Sequence, residues 1–375
     1  MPKLIRVART FLAQGRPPSG APPDRLEPRE VAALGAAVQK LSHGLTRERA
    51  LVGERYMDQP QLLAAYLLFY WPVSYAQMRR LLGELPAPLG PALDLGSGPA
   101  PASFAALDAG ASRVLAADRS ASALKLASQL AAGSKSFNTQ RWTPDGPLPD
   151  GQFALIMAQH LLNELWEGAS AIAQRAVLCR KLLGKLSPGG TLLLVEPALR
   201  DTSRPLLELR DILVREGFAV RAPCLYRGDC QALHRPSDWC HAERDWEATP
   251  VVLELARAAG LHKESLKMSY LALAPAGEQW VVPPPGRVLR VVSEQLQGKG
   301  RLRYMGCGPD GRMGLALQHK HLSDANRHFE QLERGEIIRV EGAAPKGDGL
   351  GLGEGSRVEL LAAPGEPLPP RPVDA

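Results

Sequence analysis

Apolar residues recur at helical spacing through EVAALGAAVQKLSHGL (30–45) and again through QPQLLAAYLLFYWPVSYAQMRRLLGEL (59–85). This predicts an N-terminal run of helices. Pro72 falls inside the second stretch and predicts a break there, because proline removes a helical N–H and crowds the preceding turn. The period then changes. Short apolar runs PALDLGSG (91–98), RVLAADRS (113–120), FALIMAQ (153–159) and TLLLVEP (191–197) alternate with the helical stretches PASFAALDAG, SALKLASQLAAG and AIAQRAVLCRKLLGKL. Strands alternating with helices predict a parallel, doubly wound α/β sheet. VVLELARAAG and apolar strands around Leu271 and Val281 complete it, and SPGG (187–190) reads as a turn. After PPPG (283–286) the pattern shortens again. RVLRVVSEQ, GRLRYMGCG, RMGLALQH, GEIIRVEG and SRVELLAA are β-like runs joined by Gly-containing turns. They predict a small antiparallel, barrel-like C-terminal domain of five strands.

The expected organisation is therefore a basic N-terminus with a Pro-rich linker (1–28), a helical domain (29–88), an α/β domain (89–283), a β-domain (284–362) and a disordered tail (363–375). The chain is 375 residues long, 45% hydrophobic and 22% charged, which is ordinary globular composition. No apolar run is long enough to cross a bilayer. MPKLIRVARTFLAQGR is basic and free of acid. It reads as a basic helix in preference to an organelle transit peptide. The net charge of +6 permits an anionic partner such as nucleic acid.

LDLGSGPAP places Asp94, Gly96, Ser97 and Gly98 between a strand and a helix. Glycine lets the backbone turn tightly there, and the helix N-terminus adds free N–H groups. Pro101 occupies the position where a dinucleotide loop needs a third small residue. D-x-G-x-G followed about 20 residues later by an acid closing the next strand, here Asp118, is instead the pattern of S-adenosylmethionine (SAM) methyltransferases. Asp118 is placed to accept bonds from ribose hydroxyls. Asp94 is placed to face the cofactor's cationic amino acid portion. The expected fold is that of a class I methyltransferase, Rossmann-like and doubly wound.

Three of five cysteines lie in CLYRGDCQALHRPSDWC (224–240). An odd count in a chain with no export signal favours metal binding over disulfides. Thiolates suit zinc or an iron–sulfur cluster. The close pairs of a zinc site are missing, and the ferredoxin spacings do not match either. His234 and His241 would allow a mixed zinc site, and buried thiols without metal are the bland reading. Cys179, in QRAVLCRKLL, reads as a core residue.

The combination resembles the mitochondrial small-ribosomal-subunit methyltransferase-like family, that of yeast ribosomal protein Rsm twenty-two and human methyltransferase-like protein seventeen, in a bacterial-type form. The likeness runs from LSHGL and AYLLFYWPVSYAQMRRLL through LDLGSGPA, QHLLNEL, LLLVEPALRD, APCLYRGDC and DWCH to YMGCGPDGR. It implies SAM as cofactor and a [4Fe–4S] cluster on Cys224, Cys230, Cys240 and Cys307, with zinc as the alternative. The cysteines of about 215–245 would then be an insertion in the α/β domain, and Cys307 would tie the β-domain to the sheet. The implied partner is the small ribosomal subunit and its rRNA, with no membrane, for a monomer in the cytoplasm, or in the mitochondrial matrix if the source is eukaryotic. Phe69-Tyr70-Trp71 and the Gly-rich GAAPKGDGLGLGEGS depart from the family's pattern, so the ribosome-facing surface is expected to differ.

No acceptor motif of the Asn/Asp-Pro-Pro-aromatic kind follows FALIMAQ; AQHLLNELW stands there instead. No catalytic residue is assigned. His160, Asn163 and Glu164 are candidates for lining the acceptor cleft. Three functions remain: an rRNA methyltransferase, a SAM-binding assembly factor that transfers no methyl, and a small-molecule methyltransferase. Lys299, Arg301 and Arg303 of GKGRLRY are the expected RNA contacts, and Arg287 and Arg290 lie on the strand before it. Alternation sets Arg301 and Arg303 opposite Leu302 and Tyr304.

Overall fold

The structure is a computed structural model that describes residues 1–13, 20–52, 54–296 and 298–369. The N-terminal region supplies α1 (Pro2–Leu12), α2 (Pro28–Ser42), α3 (Pro60–Ala65) and α4 (Trp71–Leu82). α1 is no free arm. Leu4, Ile5 and Ala8 are buried, and Arg9 pairs with Glu30 at 2.6 Å. Pro72 does not end the helix. A π-helical turn, Tyr66–Tyr70, joins α3 to α4. The wider turn absorbs the proline's missing N–H and ring without breaking the rod. These helices build no core of their own. They pack on helices of the α/β unit, where Val38, Leu41 and Leu67 meet Leu126, Leu130, Val252 and Leu255.

The α/β unit runs β1 (Pro91–Leu95), α5 (Pro101–Asp108), β2 (Arg113–Asp118), α6 (Ala121–Ala131), β3 (Phe137–Arg141), β4 (Phe153–Gln159), α7 (Ala171–Leu183), β5 (Leu186–Pro197), α8 (Arg200–Arg215), β6 (Val220–Ala222), β7 (Ala242–Asp245), α9 (Pro250–Ala258) and β8 (Ser265–Leu273). The eight-stranded sheet is ordered β3-β2-β1-β4-β5-β8-β6, with β7 also on β8. β1 to β5 are parallel, and β8 enters antiparallel. That order, with its strand reversal beside β1, is the class I methyltransferase sheet. α7 and α8 cover one face, and α4 and α5 cover the other. SPGG lies within β5, opposite a register shift in β4. β3 is a polar edge strand, invisible to a search for apolar alternation. No strand forms around Val281, which is 39% exposed.

The C-terminal region is a seven-stranded sheet rather than a five-stranded barrel. It comprises β9 (Arg287–Val291), β10 (Arg301–Gly308), β11 (Gly311–Gln318), β12 (Ile337–Glu341), β13 (Ala344–Lys346), β14 (Gly349–Leu352) and β15 (Arg357–Ala362), ordered β13-β14-β11-β10-β9-β12-β15. The two additional strands form a hairpin in the Gly-rich GAAPKGDGLGLGEGS segment, whose few side chains hide any alternation. Residues 363–369 of the expected tail are described, with Leu368 packed beside Val288 and Ile337. Residues 370–375 lie outside the described residues.

Candidate functional site

The loop between β1 and α5 takes left-handed backbone at Gly96 (φ 71°), Gly98 (φ 53°) and Ala100 (φ 63°). A Cβ on Gly96 would stand 2.6 Å from the Leu161 side chain, so only glycine fits. Asp118, at the end of β2, holds this loop. Its Oδ2 accepts from the Gly98 N–H at 2.8 Å and its Oδ1 from the Ser120 N–H at 2.7 Å. A carboxylate has about four acceptor positions, so capacity for hydroxyl donors remains. Asp94 behaves differently. Its Oδ2 accepts from both the N–H and the Oγ–H of Ser103, in the first turn of α5, at 2.9 and 2.7 Å. It is 1% exposed, and burial pushes it up to about 7 against the pull of those two bonds. Its carboxylate is thus tied to the helix start. Ser97 is buried and donates to the Gly98 carbonyl.

The N-terminal helices cover this loop, which sequence reasoning did not anticipate. Trp71 Nε1 donates to the Pro99 carbonyl at 3.0 Å, and Ser120 Oγ donates to Asp58 at 2.7 Å. Tyr56 Oη donates to Glu164 at 3.2 Å. The three cleft candidates do come together beside the loop, but each is held by protein partners. Asn163 Nδ2 donates to Glu196 at 2.7 Å, and Arg49 donates to the Asn163 carbonyl at 2.8 Å. His160 Nε2 lies 3.3 Å from Gln77 Oε1; burial lowers this imidazole to about 4, so it is neutral. Burial also raises Glu164 to about 7 and Glu196 to about 8.

The second site lies where the two sheets meet. Cys224, Cys230 and Cys240 come from the segment between β6 and β7, and Cys307 from β10; all four line one cavity of about 80 Å³. A single water needs roughly 10–15 Å³, so the space admits a larger group. Cys179 is fully buried in the α/β core, away from this cavity. His241 is in the lining and His234 is not. Burial, then the neighbouring Cys224 and Cys240, push the Cys230 thiol up to about 12, and burial raises Cys240 and Cys307 as well. A cation held here would have to displace those protons.

Sequence reasoning missed the charged lining. Arg210, Arg290, Arg312 and Arg334 also face the cavity. Arg290 is 7% exposed, held at the junction of the two sheets where its guanidinium reaches Glu84. Its partner Glu84 also binds Arg244 and the Tyr270 hydroxyl, and Arg244 and Glu84 side chains are each 1% exposed. Four thiols and these guanidiniums thus line the same cavity. Among the described residues no three His, Cys, Asp or Glu side chains are close enough to hold a single metal ion. A mononuclear zinc site would need them closer, with sulfur about 2.3 Å from one ion.

A model of the family described as "mitochondrial small ribosomal subunit Rsm22" matches residues 60–341, which span the loop, the cleft and all four cavity cysteines. The chain belongs to the Rsm22 family. No curated protein matches it. Solved structures similar to this Rsm22-family chain are methyltransferases. The ribosomal protein L11 methylase of Lactobacillus delbrueckii subsp. bulgaricus is 19% identical over 54% of this chain and 78% of its own, with a TM-score of 0.33. A putative RNA methyltransferase of Pyrococcus horikoshii is 14% identical over 66% and 98%, with a TM-score of 0.35. The N-methyltransferase NodS of Bradyrhizobium japonicum, solved with S-adenosyl-L-homocysteine, is 12% identical over 64% and 98%, with a TM-score of 0.37. These likenesses are remote, and the fold rests on the strand order of the sheet.

Outside both sites, Arg301 and Arg303 are exposed while Leu302 and Tyr304 are buried. Lys299 and Arg301 line an open groove with Gln295 and His319.

Proposed function

We propose that this chain binds SAM at the Gly96–Gly98 loop, carries a [4Fe–4S] cluster on Cys224, Cys230, Cys240 and Cys307, and acts on the small ribosomal subunit by holding its rRNA. The observation that carries the reading is the convergence on one cavity of three cysteines from the β6–β7 segment and one from β10 of the other sheet, in a chain of the Rsm22 family. Four irons, one per cysteine, suit a wider spread of thiols than one zinc ion does. Held by Cys224, Cys230, Cys240 and Cys307, such a cluster would link the β6–β7 segment to β10 and would provide a centre able to take up an electron. The family's description names a mitochondrial subunit; no helix among the described residues is long and apolar enough to cross a membrane.

A second reading concerns transfer itself. His160, Asn163 and Glu164 bond to Gln77, to Glu196 and Arg49, and to Tyr56, so little of their capacity is left for an acceptor base, although the buried His160 Nδ1 has no partner. This favours an assembly factor that binds SAM as a ligand over an rRNA methyltransferase. Family membership argues against a small-molecule acceptor. Anaerobically purified protein is expected to hold about four irons per chain. With immature small subunits and SAM labelled in the methyl group, it is expected to co-sediment without passing label to RNA. One zinc and no iron would overturn the cluster reading. Label in rRNA would restore the enzyme.

A further inference from the structure

The four cavity arginines share an arrangement. Arg290, Cys307 and Arg312 stand directly opposite one another on β9, β10 and β11. Directly opposed residues project from the same face of a sheet, so the thiol is flanked on both sides by a guanidinium. Arg334 joins them from the turn before β12, and Arg210 reaches in from α8 on the other wall. In each, terminal nitrogens are anchored by the protein. Arg210 donates to Asp211 and to the carbonyls of Tyr226 and Gly228. Arg290 donates to the Gly335 carbonyl and Glu84, Arg312 to Asp238, and Arg334 to the Val292 carbonyl. In all four, Nε is buried and has no partner, as it also is in Arg221 and Arg339 outside the cavity. A buried unpaired donor is destabilising, the more so when charged, so four of them around one cavity point to an acceptor inside it.

Charge gives the same answer. With Arg244, five guanidiniums line the cavity, and three carboxylates, Glu84, Asp211 and Asp238, bond to them. The surplus is positive. Four thiolates around a [4Fe–4S] core leave a net negative charge, which grows by one when the core takes an electron. Hydrogen bonds to the sulfurs and nearby charge are among the factors that set a cluster's potential.

We infer that Arg210, Arg290, Arg312 and Arg334 form a donor shell around the cluster that stabilises its reduced, more negative state and so raises its reduction potential. They are positioning residues, not ligands, and the inference rests on the cluster reading above. The reaction it bears on is the one-electron step, with the electron supplied by an external reductant and the four Cys–Fe bonds unchanged.

The test is a dithionite titration of the anaerobically purified full chain, followed by electron paramagnetic resonance, with iron content measured on each sample. Arg334→Gln and Arg312→Gln are expected to keep their iron and to shift the midpoint to lower potential. Arg334→Lys, which keeps the charge but lacks the Nε–H, is expected to shift it less than Arg334→Gln. Arg113→Gln, on the exposed start of β2 far along the chain, serves as the control and is expected to leave the midpoint in place. If the glutamine variants fail to load, the lysine variant carries the measurement. Iron-loaded variants with the wild-type midpoint would overturn the inference and leave the cluster standing. Wild-type protein without iron would instead sink the cluster reading itself.

Discussion

Asp94 and Asp118 close neighbouring strands, and from the sequence both looked like cofactor ligands. Their surroundings separate them. Asp118 binds the loop through Gly98 and Ser120 and keeps acceptor capacity. Asp118→Ala is therefore expected to weaken SAM binding in calorimetry at least tenfold, about 1.4 kcal/mol. Part of that loss comes through the slackened loop. Equal affinity in both proteins would remove Asp118 from the site. Asp94, bound to Ser103, is a buried carboxyl raised to about 7. In the unfolded chain it titrates near 3.9. Between those values the folded state holds the extra proton, so stability is fully present below the unfolded pKa and falls as pH rises toward about 7. Asp94→Asn is expected to flatten that part of the stability–pH curve in thermal unfolding of the SAM-free protein. An unchanged slope would show that Asp94 is ionised throughout.

Among the elements, the end of α4 joins the two sheets. Glu84 lies two residues past that helix and receives Arg244 of β7, Arg290 of β9 and Tyr270 of β8. A single carboxylate thus touches strands of both sheets. Removing one partner of a buried ion pair typically costs about 3–5 kcal/mol, because the remaining charge stays buried and unpaired. Glu84→Ala is expected to lose about that much in urea unfolding, with the C-terminal sheet released first in hydrogen exchange. A loss under 1 kcal/mol would mean that water reaches the arginines. None of this was legible in GEL, RVLRVV or AERD, where each residue reads as a solvated charge. The π-helical turn before Pro72 escaped notice for a similar reason, since neighbours packed on both sides of the rod decide whether a proline breaks it.

Across the whole molecule, β10 connects the two proposed activities. Arg301, Arg303 and Cys307 occupy odd positions of one strand and share a face. About six residues at ~3.3 Å each separate the basic end from the thiol. A cluster at Cys307 would hold that face in a fixed relation to the methyltransferase sheet. Arg301→Glu with Arg303→Glu is expected to weaken rRNA binding and to lower the salt slope by about two, roughly one per lost phosphate contact, with SAM affinity unchanged. Binding equal to wild type at every salt concentration would exclude the face as the docking surface. The sequence by itself determined the parallel sheet, the glycine loop with its paired acids, and the alternation that exposes Arg301 and Arg303. Those are local matters of period, turn chemistry and strand register, written within a few residues. Only the tertiary structure decided that the N-terminal helices cover the loop, that the Asp94 carboxylate bonds Ser103 of α5, that His160, Asn163 and Glu164 have protein partners, and that Arg290 faces inward. Each of these depends on residues of different elements, from 9 to 206 positions apart, being brought together, and burial, which assigns a charge its role, exists only once they are.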